Sequence, residues 1–287
     1  MSQNSERYNN SLSKVFSPGL LTKLSDVSFE NDLKELLDEM GLLSNLEGIN
    51  FLDAISTAYN HLKENYRCEY IYKNEIANQL LLRYHADNSA TLLNEFGINQ
   101  SVADLVIVNG QTVAYEIKTE LDNFDRLEGQ LKNYSLIFDN IYVVTHSGAL
   151  RSLMNKIEDS VGIILFDKFG NLVKERPAAD NSGKFDCSIA ANTLRQSELT
   201  MVYKKYEGDL PQIGTGYIGT FCRNWFSGLD KETAHFMFSE CLKSRKLSEN
   251  QFKLVVNSPM ELKMLLLGKE MNNKRCDVIS KHFDIFV

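Results

Sequence analysis

Cysteine is scarce and scattered in this chain of 287 residues. The five cysteines, Cys68, Cys187, Cys222, Cys241 and Cys276, are odd in number and form no C-x-x-C pair. That spacing argues against a disulfide framework and against a thiolate zinc site, and it fits a reducing, cytoplasmic compartment. The five histidines, His61, His85, His146, His235 and His282, are equally dispersed and offer no close metal-ligand spacing. No apolar run reaches the length of a membrane span. The first residues, Met1 to Arg7, are polar and unlike a signal peptide. A positive surplus is also missing. The net charge of −7 excludes a general nucleic-acid coat.

What charge there is lies unevenly. Residues 1–65 carry five Lys/Arg against ten Asp/Glu, residues 66–199 thirteen against eighteen, and residues 200–287 thirteen against ten. If phosphate is bound, the C-terminal part is the better electrostatic helper. A hydrophobic share of 43% is enough to bury a core. Residues 1–65 read as an N-terminal helical region packing on a core at 66–176, with a mainly helical region over 188–287. Within the first region, residues 1–20 are Asn/Ser-rich and suggest an extended arm. Helical spacing follows at Phe29–Met40 and about Asn50–Asn65. Tyr72–Tyr84 reads as a helix with Glu75, Gln79 and Arg83 along one stripe. Asp122-Asn123-Phe124 offers capping groups for another helix.

The chemistry is concentrated between Glu75 and Tyr134. Ser101–Val108 and Thr112–Lys118 are β-rich runs around an Asn109-Gly110 step, a hairpin signal. Both are apolar enough to be buried on two faces, yet Asp104, Glu116 and Lys118 interrupt them. Strand alternation sets Glu116 and Lys118 on one face. Asp104 joins that face only if the turn holds three residues or a bulge shifts the register. A two-residue turn would instead set Asp104 opposite Tyr115. Taken singly, each charge is best read as half of a buried ion pair; three converging are better read as a site. Two facing carboxylates repel unless a cation sits between them, and a hard divalent metal suits oxygen ligands.

Asp104 followed by Glu116-Ile117-Lys118 resembles the D…E-x-K signature of the PD-(D/E)XK, or restriction-endonuclease-like, nuclease superfamily. The proline of that signature is Ala103 here. Glu75 upstream matches the acidic residue these nucleases often carry on a helix, and Gln130-Leu131-Lys132-Asn133-Tyr134 resembles the Q-x3-Y motif of the RecB-type branch. The likeness covers roughly residues 70–146. It implies an α/β fold with a restriction-endonuclease-like mixed sheet flanked by helices, and Mg²⁺- or Mn²⁺-dependent hydrolysis of single- or double-stranded DNA. It further implies metal binding by Asp104, Glu116 and the Ile117 carbonyl, with Glu75 acting through water. Lys118 would serve the attacking water or the phosphate charge, and Gln130 and Tyr134 would shape the pocket. The close cysteine spacing of an iron–sulfur cluster is missing, so none is expected. A nuclease-like fold that binds nucleic acid or protein without cutting is the alternative.

One further motif needs weighing. Gly214-Thr215-Gly216-Tyr217-Ile218-Gly219 matches G-x-G-x-x-G, but Pro211 precedes it and no apolar strand leads in. Without a βαβ context the stretch reads as a glycine-rich turn, and no dinucleotide partner is expected.

Overall fold

The computed structural model describes residues 3–23, 27–43, 48–85 and 87–283. Six strands form one mixed sheet in sequence order: β1 Thr91–Ile98, β2 Ser101–Val108, β3 Thr112–Lys118, β4 Asn140–His146, β5 Gly162–Phe166 and β6 Leu172–Arg176. β1, β2 and β3 form an antiparallel meander, β3, β4 and β5 run parallel, and β6 returns antiparallel. The fold is therefore α/β, with helices on both faces of the sheet.

Alternation along the central strands divides the apolar residues between two cores. Leu105, Ile107, Tyr115, Ile117, Tyr142 and Val144 pack on one face. That face is covered by α1 (Gln3–Ser13), α2 (Leu20–Lys23), α3 (Val27–Glu39), α4 (Phe51–Asn65) and α5 (Glu69–Ile76). Val106, Val108, Ala114, Val143 and Ile163 pack on the other. There they meet α6 (Leu127–Tyr134), α7 (Leu150–Met154), α8 (Cys187–Thr193), α9 (Gln196–Glu207), α10 (Thr215–Ser227) and α11 (Lys231–Lys243). The last helices, α12 (Glu249–Asn257), α13 (Lys263–Leu267) and α14 (Asn273–His282), return to the first face. The C-terminal region thus closes both cores.

Four local expectations are corrected. Residues 3–20 are not an extended arm. They form α1 and a 3₁₀ turn, because Leu12, Val15, Phe16 and Leu20 bury against α4 and α5, and tertiary packing overrides the Asn/Ser composition. The segment after β3 does not become helical at Asp122. That carboxylate accepts from Thr119 N–H and Oγ1 (2.9 and 2.7 Å) and holds a turn, and α6 begins only at Leu127. The glycine-rich stretch is not a turn but the start of α10, with Gly214 as its N-cap. A side chain at Gly219 would meet Gln196 Oε1 at 2.9 Å, so this glycine permits close approach of α9 and α10. The Tyr72–Tyr84 helix begins earlier, at Glu69, and widens into a π-helical turn over Ala77–Leu82.

A buried polar cluster fastens α11 to the sheet. Asp139, just before β4, accepts from Thr112 N–H (2.7 Å) and returns its own N–H to Thr112 Oγ1 (3.0 Å). Its other oxygen lies 2.6 Å from His235 Nε2 on α11. Burial pushes Asp139 up, but His235 and Thr112 outweigh it and hold the carboxyl below its usual range. The Asp139 contact raises His235 against the effect of burial, and Asp180 adds to the rise. The His235 contribution is complete below its unfolded value of about 6.5 and is lost as pH rises through the raised folded value. The Asp139 contribution is complete above about 3.9 and is lost as pH falls through the lowered one. Wild type should therefore lose its stability advantage over His235→Gln between pH 6 and pH 9 in thermal melts. A gap that stays constant over that range would show that the pair carries no charge-dependent stability.

Candidate active site

The hairpin holds a three-residue turn. Val108 pairs with Thr112 and Leu105 with Tyr115, and Gly110 takes the left-handed conformation (φ 73°) that the turn requires. Carried one step further, this register sets Asp104 opposite Glu116. The ladder itself stops at Leu105–Tyr115, so Asp104 sits where β2 leaves β3. On its other side the β1–β2 pairing passes over Glu95 and Asp104, with Asn94–Leu105 and Phe96–Ala103 on either side. Glu95 is a non-glycine residue in the left-handed region (φ 55°). The alternation slips at this point: Leu93, Phe96 and Ala103 all pack in the second core, although Leu105 packs in the first. The kink takes Asp104 out of ordinary strand pairing.

Asp104 Oδ2 accepts the Ile117 N–H at 2.6 Å, filling the place of a strand carbonyl. Burial, and then the Glu116 carboxylate, push the Asp104 carboxyl up to about 7. The Ile117 hydrogen bond pulls the other way and does not win. Glu116 is 1% exposed. Its Oε1 meets Lys118 Nζ at 2.7 Å and its Oε2 meets the Tyr134 hydroxyl, also at 2.7 Å. That hydroxyl lies 2.6 Å from the Val102 carbonyl as well, so one proton serves two acceptors. Burial, followed by Glu116, raises Tyr134 far above the ordinary phenol value. Gln130 Oε1 is 3.3 Å from Lys118 Nζ, and its amide nitrogen is 3.5 Å from the Tyr134 hydroxyl. The fold thus brings Asp104, Glu116, Ile117, Lys118, Gln130 and Tyr134 together.

Glu75 is not among them. It is 1% exposed, and its oxygens accept from Tyr59 (2.8 Å), Lys63 (2.7 Å) and Gln79 (2.6 Å). Gln79 in turn donates to Gly170 O and accepts from Leu172 N–H. Glu75 therefore anchors α4 and the π turn to the β5–β6 turn, with both of its oxygens engaged. The acid from α5 that does act on Asp104 is Glu69, whose charge helps to raise the Asp104 carboxyl. Glu69 pairs with Lys73 at 2.6 Å, and Lys73 reaches Glu95 at 3.3 Å. Burial works to lower the Lys73 ammonium, but Glu69, Asp104 and Glu95 together raise it. The i, i+4 spacing of Glu69 and Lys73 at the start of α5 was the available signal for this arm of the site.

Two carboxylates and a backbone carbonyl suit Mg²⁺, which binds through one or two carboxylates and keeps several waters. Among the described residues, no three His, Cys, Asp or Glu side chains converge as a closed metal cage. The raised Asp104 carboxyl and the ammonium already held by Glu116 both mark a place short of positive charge. Each carboxylate retains lone-pair capacity beyond the contacts it makes.

Residues 62–271 match the model of a family described as Bacteriophage P4 protein cII. A curated relative, Protein cII of Enterobacteria phage P4, is 33% identical over 89 residues, which are 30% of this chain and 34% of the relative. The chain thus matches about a third of that relative's length. A solved structure of a protein of unknown function from Silicibacter pomeroyi, SPO1766, is 16% identical, with a TM-score of 0.30 over 37% of this chain and 68% of its own. A likeness at that level carries no argument. No helix among the described residues is long and apolar enough to cross a membrane.

The raised Asp104 carboxyl gives a signed test. Folding favours its protonated form, so this contribution is present below about 3.8, the ordinary value, and is lost as pH climbs to about 7. Asp104→Asn keeps an acceptor for Ile117 and deletes the repulsion. Without metal, the variant should melt above wild type by on the order of 5 °C at pH 8 and level with it at pH 4. Parallel melting curves across that range would contradict the electrostatic account.

Proposed function

The chain belongs to the bacteriophage P4 protein cII family, and we propose that it is a metal-dependent nuclease that hydrolyses DNA phosphodiester bonds on a PD-(D/E)XK-like core. The observation that carries this reading is the meeting of Asp104 and Glu116 at the splayed end of β2 and β3, with Lys118, Gln130 and Tyr134 gathered on Glu116. Six residues singled out by the D…E-x-K and Q-x3-Y resemblance lie in one cluster, and their chemistry is complementary. A relative from a bacteriophage supports a mobile-element setting.

In this reading Asp104, Glu116 and the Ile117 carbonyl hold Mg²⁺ or Mn²⁺. When bound, such an ion supplies Lewis acidity and lowers the pKa of water. Lys118, which lies beside Glu116 at 2.7 Å, would serve the attacking water or the phosphate charge. Tyr134 fixes one Glu116 oxygen, so that the carboxylate presents a constant edge. Gln130 holds the Lys118 ammonium on the α6 side and keeps it beside the reacting phosphate. Glu69, coupled to Asp104 through charge, takes the water-mediated role first expected of Glu75.

A second reading, a nuclease fold that binds without cutting, draws support from the same Lys118–Glu116 contact, since an ion pair satisfies the site with no metal. Cleavage of single-stranded, nicked and duplex DNA with Mg²⁺ or Mn²⁺ separates the two. The nuclease reading expects cutting by wild type and a loss of at least about a hundredfold in Asp104→Ala and Glu116→Ala with the fold intact. Normal turnover in either variant would end it. Lys118→Met should cut about a hundredfold more slowly while melting close to wild type in Mg²⁺. A variant that melts early yet cuts at the normal rate would make Lys118 a structural partner only.

A further inference from the structure

A cavity opens on the flank of α6 that faces away from the candidate active site. It holds about 400 Å³, within the range of small-ligand sites. It lies between α6, the start of β4, the α7–β5 connection and the 3₁₀ turn at Ser182–Lys184. Glu128, Leu131, Lys132 and Ser135 line it, spaced i, i+3, i+4 and i+7 along one stripe at the helix and its C-cap. Gln130 and Tyr134 lie on the neighbouring stripe and reach Lys118 and Glu116. The helix therefore stands between two places, and the chemistry proposed at Glu116 has no use for the second.

The floor of the cavity is apolar. Leu131, Ile141, Ile157 and Val161 belong to the second core and leave a gap at its rim. One buried amide lies among them. Asn181 is 4% exposed, and its backbone is fixed by donating to Asp139 O (2.8 Å) and accepting from Lys184 N–H (2.7 Å). Its side chain makes no hydrogen bond among the described residues, yet its polar atoms are not sealed from solvent. The little surface that Asn181 keeps opens on the cavity it lines. An asparagine amide brings both a donor and an acceptor, and leaving them unmatched against apolar walls is costly.

The mouth is positive. Lys132, Lys156 and Lys184 stand around it. Lys132 has no ion-pair partner among the described residues, Lys156 lies over the Phe124 ring at 5.9 Å, and Lys184 is 3.9 Å from an exposed Glu158. Three lysines against Glu128 and Glu158 leave one positive charge, in a chain whose net charge is −7. We propose that this cavity binds a small organic anion. Its apolar body would fill the gap between Leu131, Ile157 and Val161, a carbonyl or N–H at its buried end would meet Asn181, and its acidic head would lie among the lysines. Inorganic phosphate alone would leave the apolar floor and the amide unused. A nucleoside monophosphate and a short carboxylic acid share the required chemistry. The inference does not rest on the nuclease reading.

The test is isothermal titration of the full chain in EDTA, so that no metal draws an anion to Asp104 and Glu116. The probes are thymidine 5′-monophosphate against thymidine, and hexanoate against hexanamide. One anion should bind as a single molecule per chain, with its neutral counterpart at least about tenfold weaker. Which anion binds separates the two sources. Asn181→Leu keeps the volume and should weaken binding about fivefold, the scale of one lost hydrogen bond. Lys132→Glu should weaken it at least about tenfold and, lying on the exposed side of α6, does so without disturbing the core. Ser135→Trp, which fills the cavity from its wall, should abolish binding in a chain that melts like wild type. Failure of both anions to saturate, equal binding of the neutral counterpart, or binding that survives Asn181→Leu and Lys132→Glu overturns the proposal.

Discussion

Repulsion between Asp104 and Glu116 is the constraint around which the site is arranged. Two buried carboxylates on neighbouring strands cannot both stay ionised without a cation. The protein answers in two ways. Lys118, two residues along the same strand face, supplies an ammonium to Glu116 at 2.7 Å. Asp104, which lacks such a partner, is held as a carboxyl near neutrality. Both answers are provisional in the chemical sense, since a divalent cation would replace the ammonium and release the proton together.

The backbone keeps the two groups in place at a cost to the sheet. Regular pairing would leave Asp104 as one more ladder residue, but the left-handed Glu95 breaks the β1–β2 pairing and β2 diverges from β3 at the same level. A non-glycine residue held in that region is strained, and such strain persists only where packing over-determines it. Here the packing comes from both cores. Phe96 and Ala103 anchor one side of the kink in the second core, and Leu105 anchors the other side in the first. The helices that close those cores come from both ends of the chain.

Much of this was legible in the sequence. The strand runs, the charges within them, and the Gln130–Tyr134 spacing pointed to one site, and the three-residue turn was the stated condition for Asp104 to join it. The fold class followed from the strand and helix order. What escaped was set by tertiary partners. Glu75 looked well placed by its position before the hairpin, but Tyr59, Lys63 and Gln79 surround it, and two of those lie on elements that only folding brings near. Glu69 lies outside the Tyr72–Tyr84 span read as a helix, and it acts on Asp104 because α5 begins at Glu69 and brings its charge near the kink. The N-terminal helix was hidden by Asn and Ser, with Leu12, Val15 and Phe16 too sparsely spaced to show their burial. The PD-(D/E)XK resemblance added roles for the residues, while the geometry rests on the residues themselves.

The most direct test of the central claim is anomalous scattering from crystals of the protein soaked in Mn²⁺. The account predicts a manganese peak bounded by the Asp104 carboxylate, the Glu116 carboxylate and the Ile117 carbonyl, with the Lys118 ammonium displaced from Glu116. An empty position at millimolar Mn²⁺, with Lys118 still paired to Glu116, would contradict it.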